Sequence, residues 1–393
     1  MTAALEGVLV ADFSRVLAGP LATMVLGDLG ATVVKVEHPS GDDTRRWGPP
    51  FLGDESTYYL SVNRNKRSVV LDLTTEEGAA DARRLAERAT VLVENFRPGR
   101  LDRFGLGYEP LAAVNPGLVY CSISGYGGVG RPGAALAGYD FVVQAMSGLM
   151  DITGPPGGPP FKVGVAVVDV LTGLHAAIGV LAALAARRRT GRGQLVQVDL
   201  MSCALGALVN QASAFLNTGE VPRAMGNRHP SIAPYETFAT ADGTIAVAAG
   251  NDRQFRSLCA VLGDGSLADD ARFATNARRV GHREELVSCL EELLSARPTT
   301  EWVSLLHEAG VPCGPVNDIA RAFGDAARLG LEPTVTFDVT TGPVTTVADP
   351  VRLSATPVTY RRPPPGLGGD TDEVVAWLRE PATTPLDPPH QHA

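Results

Sequence analysis

The stretch Phe161-Lys-Val-Gly-Val-Ala-Val-Val-Asp-Val-Leu-Thr-Gly-Leu-His-Ala-Ala-Ile-Gly-Val-Leu-Ala-Ala-Leu-Ala-Ala-Arg187 is almost wholly apolar and contains one carboxylate, Asp169. Small residues follow that aspartate at helical spacing, at Gly173, Ala176, Ala177 and Gly179. The spacing predicts a helix that begins near Asp169 and packs closely on a neighbour. An aspartate in this place caps the helix by accepting backbone N–H bonds, or it is a carboxylate nucleophile that attacks an acyl group. The stretch alone leaves both interpretations open.

The bulk composition restricts the classes of protein to consider. A chain of 393 residues that is 45% hydrophobic and 20% charged is globular, with room for one large or two ordinary domains. Its net charge of −9 argues against a general nucleic-acid binder. Five scattered cysteines without a CxxC pair, and no apparent signal peptide, predict a cytoplasmic protein with reduced thiols. The apolar window Val163–Ala186 contains Asp169 and His175, so we expect it to be buried in protein rather than in a membrane.

Upstream of this stretch, the chain predicts an α/β fold. Gly7–Phe13 has the pattern of a strand, Pro20 can open a helix that runs to Leu29, and Thr32–Glu37 is a second apolar strand. The β-α-β order is that of a doubly wound parallel sheet. Further strands are predicted at Arg67–Leu73, Thr90–Glu94, Leu118–Ser124 and Leu195–Leu200. The first turn lacks G-x-G-x-x-G, which argues against binding of NAD or FAD.

Near Gly219 the pattern changes. A hairpin signal surrounds Ala241-Asp-Gly243, and three amphipathic helices follow, among them Arg283–Leu294. This part of the chain predicts a second domain of α+β type.

Short motifs spread from Leu5 to about Leu378 resemble those of the family III CoA-transferases, the carnitine-dehydratase-like and formyl-CoA-transferase-like family. The most specific are Asp12-Phe-Ser-Arg-Val-Leu-Ala-Gly-Pro20, Val34-Lys-Val-Glu37, Asn65-Lys-Arg-Ser68, Val93-Glu-Asn-Phe-Arg-Pro-Gly99, Gly125-Tyr-Gly127, Ala137-Gly-Tyr-Asp140, Asp169 with Gly173, Thr190-Gly-Arg-Gly-Gln194 and Gly310-Val-Pro-Cys-Gly-Pro315. Their number and order favour kinship more strongly than they specify a substrate.

The resemblance implies a Rossmann-like large domain built from both chain ends, a smaller inserted α+β domain, and an interlocked homodimer. Applied to this chain, it predicts residues 1–218 as the first part of the large domain, 219–330 as the small domain and 331–393 as the C-terminal return. The arm Pro363–Gly369 is then a strap across the partner or a plain linker, and both interpretations stay open.

For the chemistry, the resemblance implies that Asp169 is the nucleophile of a CoA-transferase. Racemases of the family, which act on 2-methylacyl-CoA, have an Ala-Gly-His-Asp pattern where this chain has Tyr139 in Ala137–Asp140. A tyrosine with its ordinary pKa near 10 is a poor base at neutral pH, so we place racemase below transferase. A non-catalytic CoA-binding module is the alternative from another class.

The resemblance also implies the residues that contact CoA. They are Val16, Leu17, Ala18, His38, Leu71, Thr74, Asn95, Phe96, Arg97, Arg103 and Tyr139. His38 stands where relatives often have arginine, and Arg45 or Arg46 is the candidate substitute for that cation. Arg103 has a physical reason as well, because CoA is polyanionic and a guanidinium binds phosphate in a bidentate way; the alternative for Arg103 is a surface ion pair with Asp102 or Glu109.

The predicted substrates are an acyl-CoA, with succinyl-CoA as a candidate, and a free carboxylic acid. No tightly bound cofactor and no metal site are expected. Leu17 replaces the glutamine of formyl-CoA transferases, which disfavours oxalate, and Gly226–Tyr235 resembles members that act on dicarboxylates such as succinate and glutarate. The distal carboxylate of such a substrate needs a cation. Among Arg15, Arg46, Arg228 and His229 we favour Arg46 and His229 for this role.

Overall fold

The computed structural model describes residues 3–339 and 342–381, together with Thr384 and Leu386. The chain forms two compact units, the first made of residues 1–149, 162–220 and 332–393 and the second of residues 150–161 and 221–331. The predicted boundaries fall after 218 and 330, and the units change after 220 and 331. Residues 150–161, which the sequence analysis leaves in the large domain, belong to the second unit.

Apolar and β-branched runs form the strands. In chain order they are β1 (Leu9–Asp12), β2 (Thr32–Glu37), β3 (Phe51–Leu52), β4 (Glu55–Ser56), β5 (Lys66–Val70), β6 (Val91–Glu94), β7 (Val119–Ser124), β8 (Leu195–Asp199), β9 (Tyr235–Ala239), β10 (Thr244–Ala248), β11 (Cys313–Pro315), β12 (Thr334–Val339) and β13 (Gly342–Val347).

The helices alternate with the strands of the first unit and dominate the second. In chain order they are α1 (Ala18–Asp28), α2 (Thr57–Ser61), α3 (Glu76–Arg88), α4 (Tyr108–Val114), α5 (Asp140–Met146), α6 (Val167–Thr190), α7 (Leu200–Ala207), α8 (Val209–Thr218), α9 (Asp252–Leu262), α10 (Asn276–Gly281), α11 (Arg283–Leu294), α12 (Thr299–Glu308), α13 (Ile319–Arg328) and α14 (Thr371–Leu378). Short 3₁₀ helices lie at Asp43–Arg46, Leu101–Phe104, Pro132–Ala135 and Gly265–Ala268.

A six-stranded parallel sheet is the centre of the first unit. Its strand order is β5-β2-β1-β6-β7-β8, and in the register Ala11 lies opposite Val34 on β2 and Leu92 on β6. When the six strands of this sheet are numbered along the chain, their order is 3-2-1-4-5-6, as in a doubly wound sheet. The direction in which successive strands are added reverses between the first and the fourth. The predicted α/β class with a parallel sheet is confirmed.

Helices cover both faces of this sheet because its strands are apolar on both sides. Val10 and Val33 pack with α1 and α6, whereas their neighbours Ala11 and Val34 pack with α3 and α14 on the other face. Close approach of α1 and α6 needs Gly173, since a Cβ there would lie 2.6 Å from the carbonyl oxygen of Ala18. The C-terminal helix α14 thus completes the core that the N-terminal strands begin.

Local signals set the ends of these helices. The Thr75 side chain accepts the backbone N–H of Gly78 at the start of α3, and the Arg88 guanidinium in its last turn donates to carbonyl oxygens of Trp377 and Leu378. α6 ends at Gly191, whose φ of 71° is the left-handed conformation that glycine adopts at low cost. By length and composition alone α6 could span a membrane. One such helix is weak support for a membrane protein, because apolar core helices have the same composition.

The second unit has its own core. Its antiparallel sheet has the order β11-β10-β9, and Phe238 and Ile245 of the predicted hairpin pack against α9, α11 and α12. In the first unit, the Asp199 side chain caps the start of α7 by accepting the Ser202 N–H. Val209, with a φ of 38°, marks the break between α7 and α8.

Candidate active site

A cavity of about 540 Å³ opens at the carboxyl ends of β1 and β6, where the strand order reverses. Ligands of doubly wound sheets bind at this switch point. The cavity wall includes the first turn after β1 (Ser14–Leu17, called the first turn below), the turn after β6, the end of β7, the segment 136–139 and the starts of α6 and α7. Val16, Leu17, Ala18, Asn95, Phe96, Arg97, Tyr139 and Asp169, all named from the sequence, lie in its wall.

Asp169 is not the N-cap of α6, so the capping interpretation is wrong. The helix begins at Val167, and Asp169 is its third residue. Asp140 provides the cap from a different helix: its Oδ1 accepts the backbone N–H of Val168 at 2.8 Å and of Asp169 at 3.2 Å. The Asp169 side chain is therefore not committed to the helix end and lines the cavity.

The surroundings of Asp169 favour its neutral form. The side chain is half-buried, and burial together with the nearby Asp140 carboxylate raises the pKa of Asp169 to about 7. Within the described ranges no cation forms an ion pair with it. When Asp169 loses its proton near neutral pH, the carboxylate is thus poorly stabilised and well suited to attack an electrophile.

Glycines let two loops meet at the cavity wall. A Cβ on Gly125 would lie 2.5 Å from the Cα of Gly138, so the backbones of 125 and 138 are in direct contact. The contact places Tyr139 at the rim with 61% of its surface exposed. Tyr139 thus presents an accessible aromatic surface next to the start of α5.

The turn after β6 is joined to the first turn by paired hydrogen bonds. The Asn95 side chain accepts the Arg15 N–H at 2.8 Å and donates to the Arg15 carbonyl at 2.7 Å. Below it, the buried Glu94 carboxylate accepts the Phe96 N–H at 2.8 Å, and burial raises the pKa of Glu94 to about 7. These bonds fix the two loops at the switch point relative to each other.

A second, smaller cavity of about 130 Å³ contains His38, Leu71 and Thr74 in its wall. Arg15, Phe96 and Arg100 line both cavities. The guanidinium carbon of Arg15 lies 5.0 Å from the centre of the Phe96 ring, and that of Arg100 lies 6.0 Å from it. Two cations therefore flank an aromatic ring where the cavities meet.

A family model described as CoA-transferase family III matches residues 5–371. The chain belongs to this family. It is 44% identical over 387 residues to a succinate–glutarate CoA-transferase of Agrobacterium fabrum, with 95% of each chain covered. It is also 44% identical over 374 residues to the human succinyl-CoA:glutarate CoA-transferase, covering 94% of this chain and 85% of the relative.

A solved structure of a CAIB/BAIF family protein from Brucella suis has the same fold. Its TM-score is 0.86 at 43% identity, with 96% of this chain and 100% of that chain covered. Together with the family match, these likenesses show that the protein is an enzyme, a family III CoA-transferase that acts on CoA thioesters.

Three residues named from the sequence lie outside both of these cavity walls. Arg103 is exposed on the 3₁₀ helix Leu101–Phe104, and neither of its suggested partners, Asp102 and Glu109, forms an ion pair with it within the described part of the chain. Arg46 is exposed and donates to the Ser40 carbonyl at 2.6 Å and to Asp43 at 3.1 Å. His229 belongs to the second unit, where its ring lies 5.2 Å from that of Tyr235.

Two other arginines weighed from the sequence hold the fold together. Arg45, suggested as a substitute cation at the CoA site, is buried and donates to both oxygens of Glu37 and to the Tyr59 hydroxyl. Arg228 forms ion pairs with Glu236 and Glu284.

Sequence reasoning missed two residues of the site. Asp140 was read only as part of a motif, because its capping of α6 joins residues 28 positions apart. Arg100 lies just outside the motif Val93–Gly99, immediately before the 3₁₀ helix Leu101–Phe104, and no motif quoted from the sequence includes it. Within the described ranges, no group of three His, Cys, Asp or Glu side chains is placed to hold a metal ion.

Proposed function

We propose that this enzyme moves CoA from succinyl-CoA to a second dicarboxylic acid, with glutarate as the first acceptor to test. The observation that carries the proposal is Asp169, a half-buried carboxylate in the wall of the switch-point cavity that forms no ion pair with any cation of the described residues. The substrate class is supported by the names of the two relatives at 44% identity, a succinate–glutarate and a succinyl-CoA:glutarate CoA-transferase.

The proposed reaction uses Asp169 twice. Its carboxylate attacks the thioester carbonyl of succinyl-CoA, the C–S bond breaks, and CoA leaves as a thiolate with the bonding electrons. The mixed anhydride that results is attacked by the thiolate at the aspartyl carbonyl, which expels succinate and leaves an aspartyl-CoA thioester. The acceptor carboxylate then displaces the thiolate from that thioester, and the thiolate attacks the acceptor's carbonyl, which gives the new acyl-CoA and free Asp169.

The two adjoining cavities support a division of CoA between them. We place the acyl end near Asp169, Tyr139 and the first turn, and the adenosine end near His38, Leu71 and Thr74. Three exposed arginines in the walls, at positions 15, 97 and 100, supply the positive charge that a polyanionic ligand requires. Arg103 stays a prediction for the same role.

The cation for the distal carboxylate is also a proposal. Arg46 and His229 remain the candidates from the sequence. Arg15 has the stronger geometric support, because it lines the same cavity as Asp169. Its ion pair with Asp43 is weak, since the two groups are 3.8 Å apart and both side chains are about half-exposed.

We further propose an interlocked homodimer in the cytoplasm, with the domain limits predicted from the sequence. Support for an interface comes from α8, in which no residue is buried and Phe215 and Leu216 are 50% and 77% exposed. Large apolar side chains exposed next to each other are typical of surfaces that a partner covers.

The test is a screen of purified enzyme with succinyl-CoA against glutarate, oxalate and butyrate, with products identified by mass. We expect glutaryl-CoA from the wild type and a loss on the order of a thousandfold or more in Asp169→Ala, with Asp54→Asn as the surface control. Hydroxylamine added during turnover should convert Asp169 to a hydroxamate, which locates the activated carbonyl.

Three results would contradict the proposal. Substantial transfer by Asp169→Ala removes the nucleophile from the mechanism. Uptake of solvent deuterium at the α-carbon of 2-methylacyl-CoA without transfer indicates a racemase. CoA binding without turnover of any pair of acids indicates a binding module.

A further inference from the structure

The first turn contains a strained residue. Val16 has a φ of 69°, in the left-handed region, and it is β-branched. Such a residue is a genuine outlier, and it persists only where the surrounding structure over-determines the backbone. Because Val16 lies in the wall of the Asp169 cavity, its conformation sets the shape of that wall.

A fully buried ion pair lies directly beneath this turn. The Nζ of Lys35 is 2.9 Å from an oxygen of Asp42, and the side chains of both residues are 0% exposed. The same ammonium donates to the Ser14 carbonyl at 2.9 Å, and the Asp42 carboxylate accepts the Val16 N–H with its two oxygens at 3.3 and 3.4 Å. The pair therefore contacts the backbone of the turn on both sides of Arg15.

Asp42 is itself held in place. The backbone N–H and the hydroxyl of Thr44 donate to its Oδ1 at 3.0 and 2.8 Å. Burial opposes ionisation of Asp42, but the Lys35 ammonium and the hydrogen bonds from Thr44 together hold the pKa of Asp42 below its usual value. Relaxation of Val16 to a negative φ would take one donor from a buried carboxylate, which is costly.

We propose that Lys35 and Asp42 are positioning residues for substrate: they hold Val16 in its left-handed conformation and so keep the first turn in the shape that binds CoA. The inference rests on the proposed placement of CoA in this cavity. It predicts that the pair acts on CoA affinity through Val16, whereas a purely structural pair would act on stability alone.

The experiment compares the removal of the pair in two backgrounds. Lys35→Met/Asp42→Leu deletes both charges together, so that no unpaired buried charge remains. The dissociation constant of CoA is measured by calorimetry and the KM of succinyl-CoA by turnover, in the natural chain and in a Val16→Gly background. Because glycine adopts a positive φ without strain, residue 16 in this background depends less on Lys35 and Asp42 to keep its conformation.

With Val16 present, we expect the double substitution to raise the dissociation constant of CoA and the KM of succinyl-CoA about tenfold. In the Val16→Gly background, we expect it to raise these two constants less than about threefold. In both backgrounds kcat should change by less than about twofold. The matched control is Arg64→Met/Asp28→Leu. It removes another buried ion pair, in which the two side chains are 2.6 Å apart and neither contacts the first turn. We expect the control to lower the unfolding temperature and leave CoA affinity unchanged.

Equal factors in the two backgrounds, or an unchanged dissociation constant, would overturn the inference. If the double variant does not fold, Lys35→Gln/Asp42→Asn gives the same comparison, because it also deletes both charges and keeps polar side chains of similar volume. A wild type that binds CoA but transfers nothing would refute the proposed function and leave the binding comparison intact as a test of positioning.

Discussion

Asp42 and Asp169 are both shielded carboxylates near the cavity of the first unit, and their surroundings differ. Asp42 contacts Lys35 at 2.9 Å and has a lowered pKa, whereas Asp169 has Asp140 as its charged neighbour and a pKa raised to about 7. Burial by itself raises the pKa of both. The nearby charge therefore separates a carboxylate that holds the backbone from one that is free to react.

The lysines of the chain also differ between buried, paired positions and exposed ones. The chain has three, and two of them, Lys35 and Lys66, are fully buried with aspartates as partners. Lys162 is exposed. Two of the three lysine ammonium groups are thus used inside the fold, and exposed arginines supply the positive charge on the cavity walls.

The largest expected effect is on the free energy of unfolding, when the buried cation Lys66 is removed from its carboxylate partner. The Lys66 ammonium is 3.1 Å from Asp12. Burial opposes ionisation of Asp12, but Lys66 and Lys35, together with the hydroxyl groups of Ser14 and Thr23, hold its pKa below the usual value. Lys66→Met strips Asp12 of one of these cations, and we expect a loss of about 3–5 kcal/mol in the free energy of unfolding at pH 7.

The sign of its pH dependence follows from Asp12. A carboxyl with a lowered folded pKa stabilises the protein above its unfolded pKa, and that contribution is lost as pH falls. The difference between Lys66→Met and wild type, measured by urea unfolding, should therefore shrink as the pH falls below about 3.8. Lys162→Met is the matched control and should change the free energy of unfolding by less than about 0.5 kcal/mol. A loss as large as that of Lys66→Met would contradict the claim that the buried, paired lysine matters more for stability than the exposed one.

Neutralising Asp169 should change the free energy of unfolding in the opposite direction. Since the folded pKa of Asp169 is about 7, above its ordinary 3.8, the native state binds more protons than the unfolded state between these values. Stability then falls as pH rises through that window. We expect Asp169→Asn to be more stable than wild type at pH 8 by about 1–2 kcal/mol, after discounting for screening by solvent, and equal to it near pH 4.

Thermal unfolding at the two pH values measures this effect, with Asp54→Asn as the exposed control. A variant that gains nothing at pH 8 would show that Asp169 is not held in unfavourable surroundings.

Much of the parallel sheet could be predicted from the sequence, because buried parallel strands are continuous apolar runs. Thr32–Glu37 is β2 as predicted, and Thr90–Glu94 differs from β6 by one residue. The helix that carries Asp169 followed from its small residues, and its start differs from the prediction by one turn or less.

The features that sequence reasoning missed depend on distant contacts or on exceptions to general rules. Lysine is rarely fully buried, so neither Lys35 nor Lys66 could be assigned a buried role from its type. The cap of α6 comes from Asp140 on α5, which no local spacing around Asp169 indicates. A positive φ at Val16 contradicts the preference of a β-branched residue and is set by Asp42 from outside the turn.

The smallest expected effect tests whether Asp140 acts on Asp169 through charge. Burial is the larger cause of the raised pKa of Asp169 and the Asp140 carboxylate is the second, so Asp140→Asn should lower it only in part. The asparagine keeps an oxygen that can accept the N–H groups of Val168 and Asp169, which preserves the helix start. If ionised Asp169 attacks the thioester, the midpoint of kcat/KM against pH should move down from about 7 by roughly half a unit to one unit. Asp199→Asn is the matched control, because Asp199 caps α7 in the same way, and its midpoint should stay in place. An upward move in Asp140→Asn, or the same move in both variants, would mean that the charge of Asp140 does not set the protonation of Asp169.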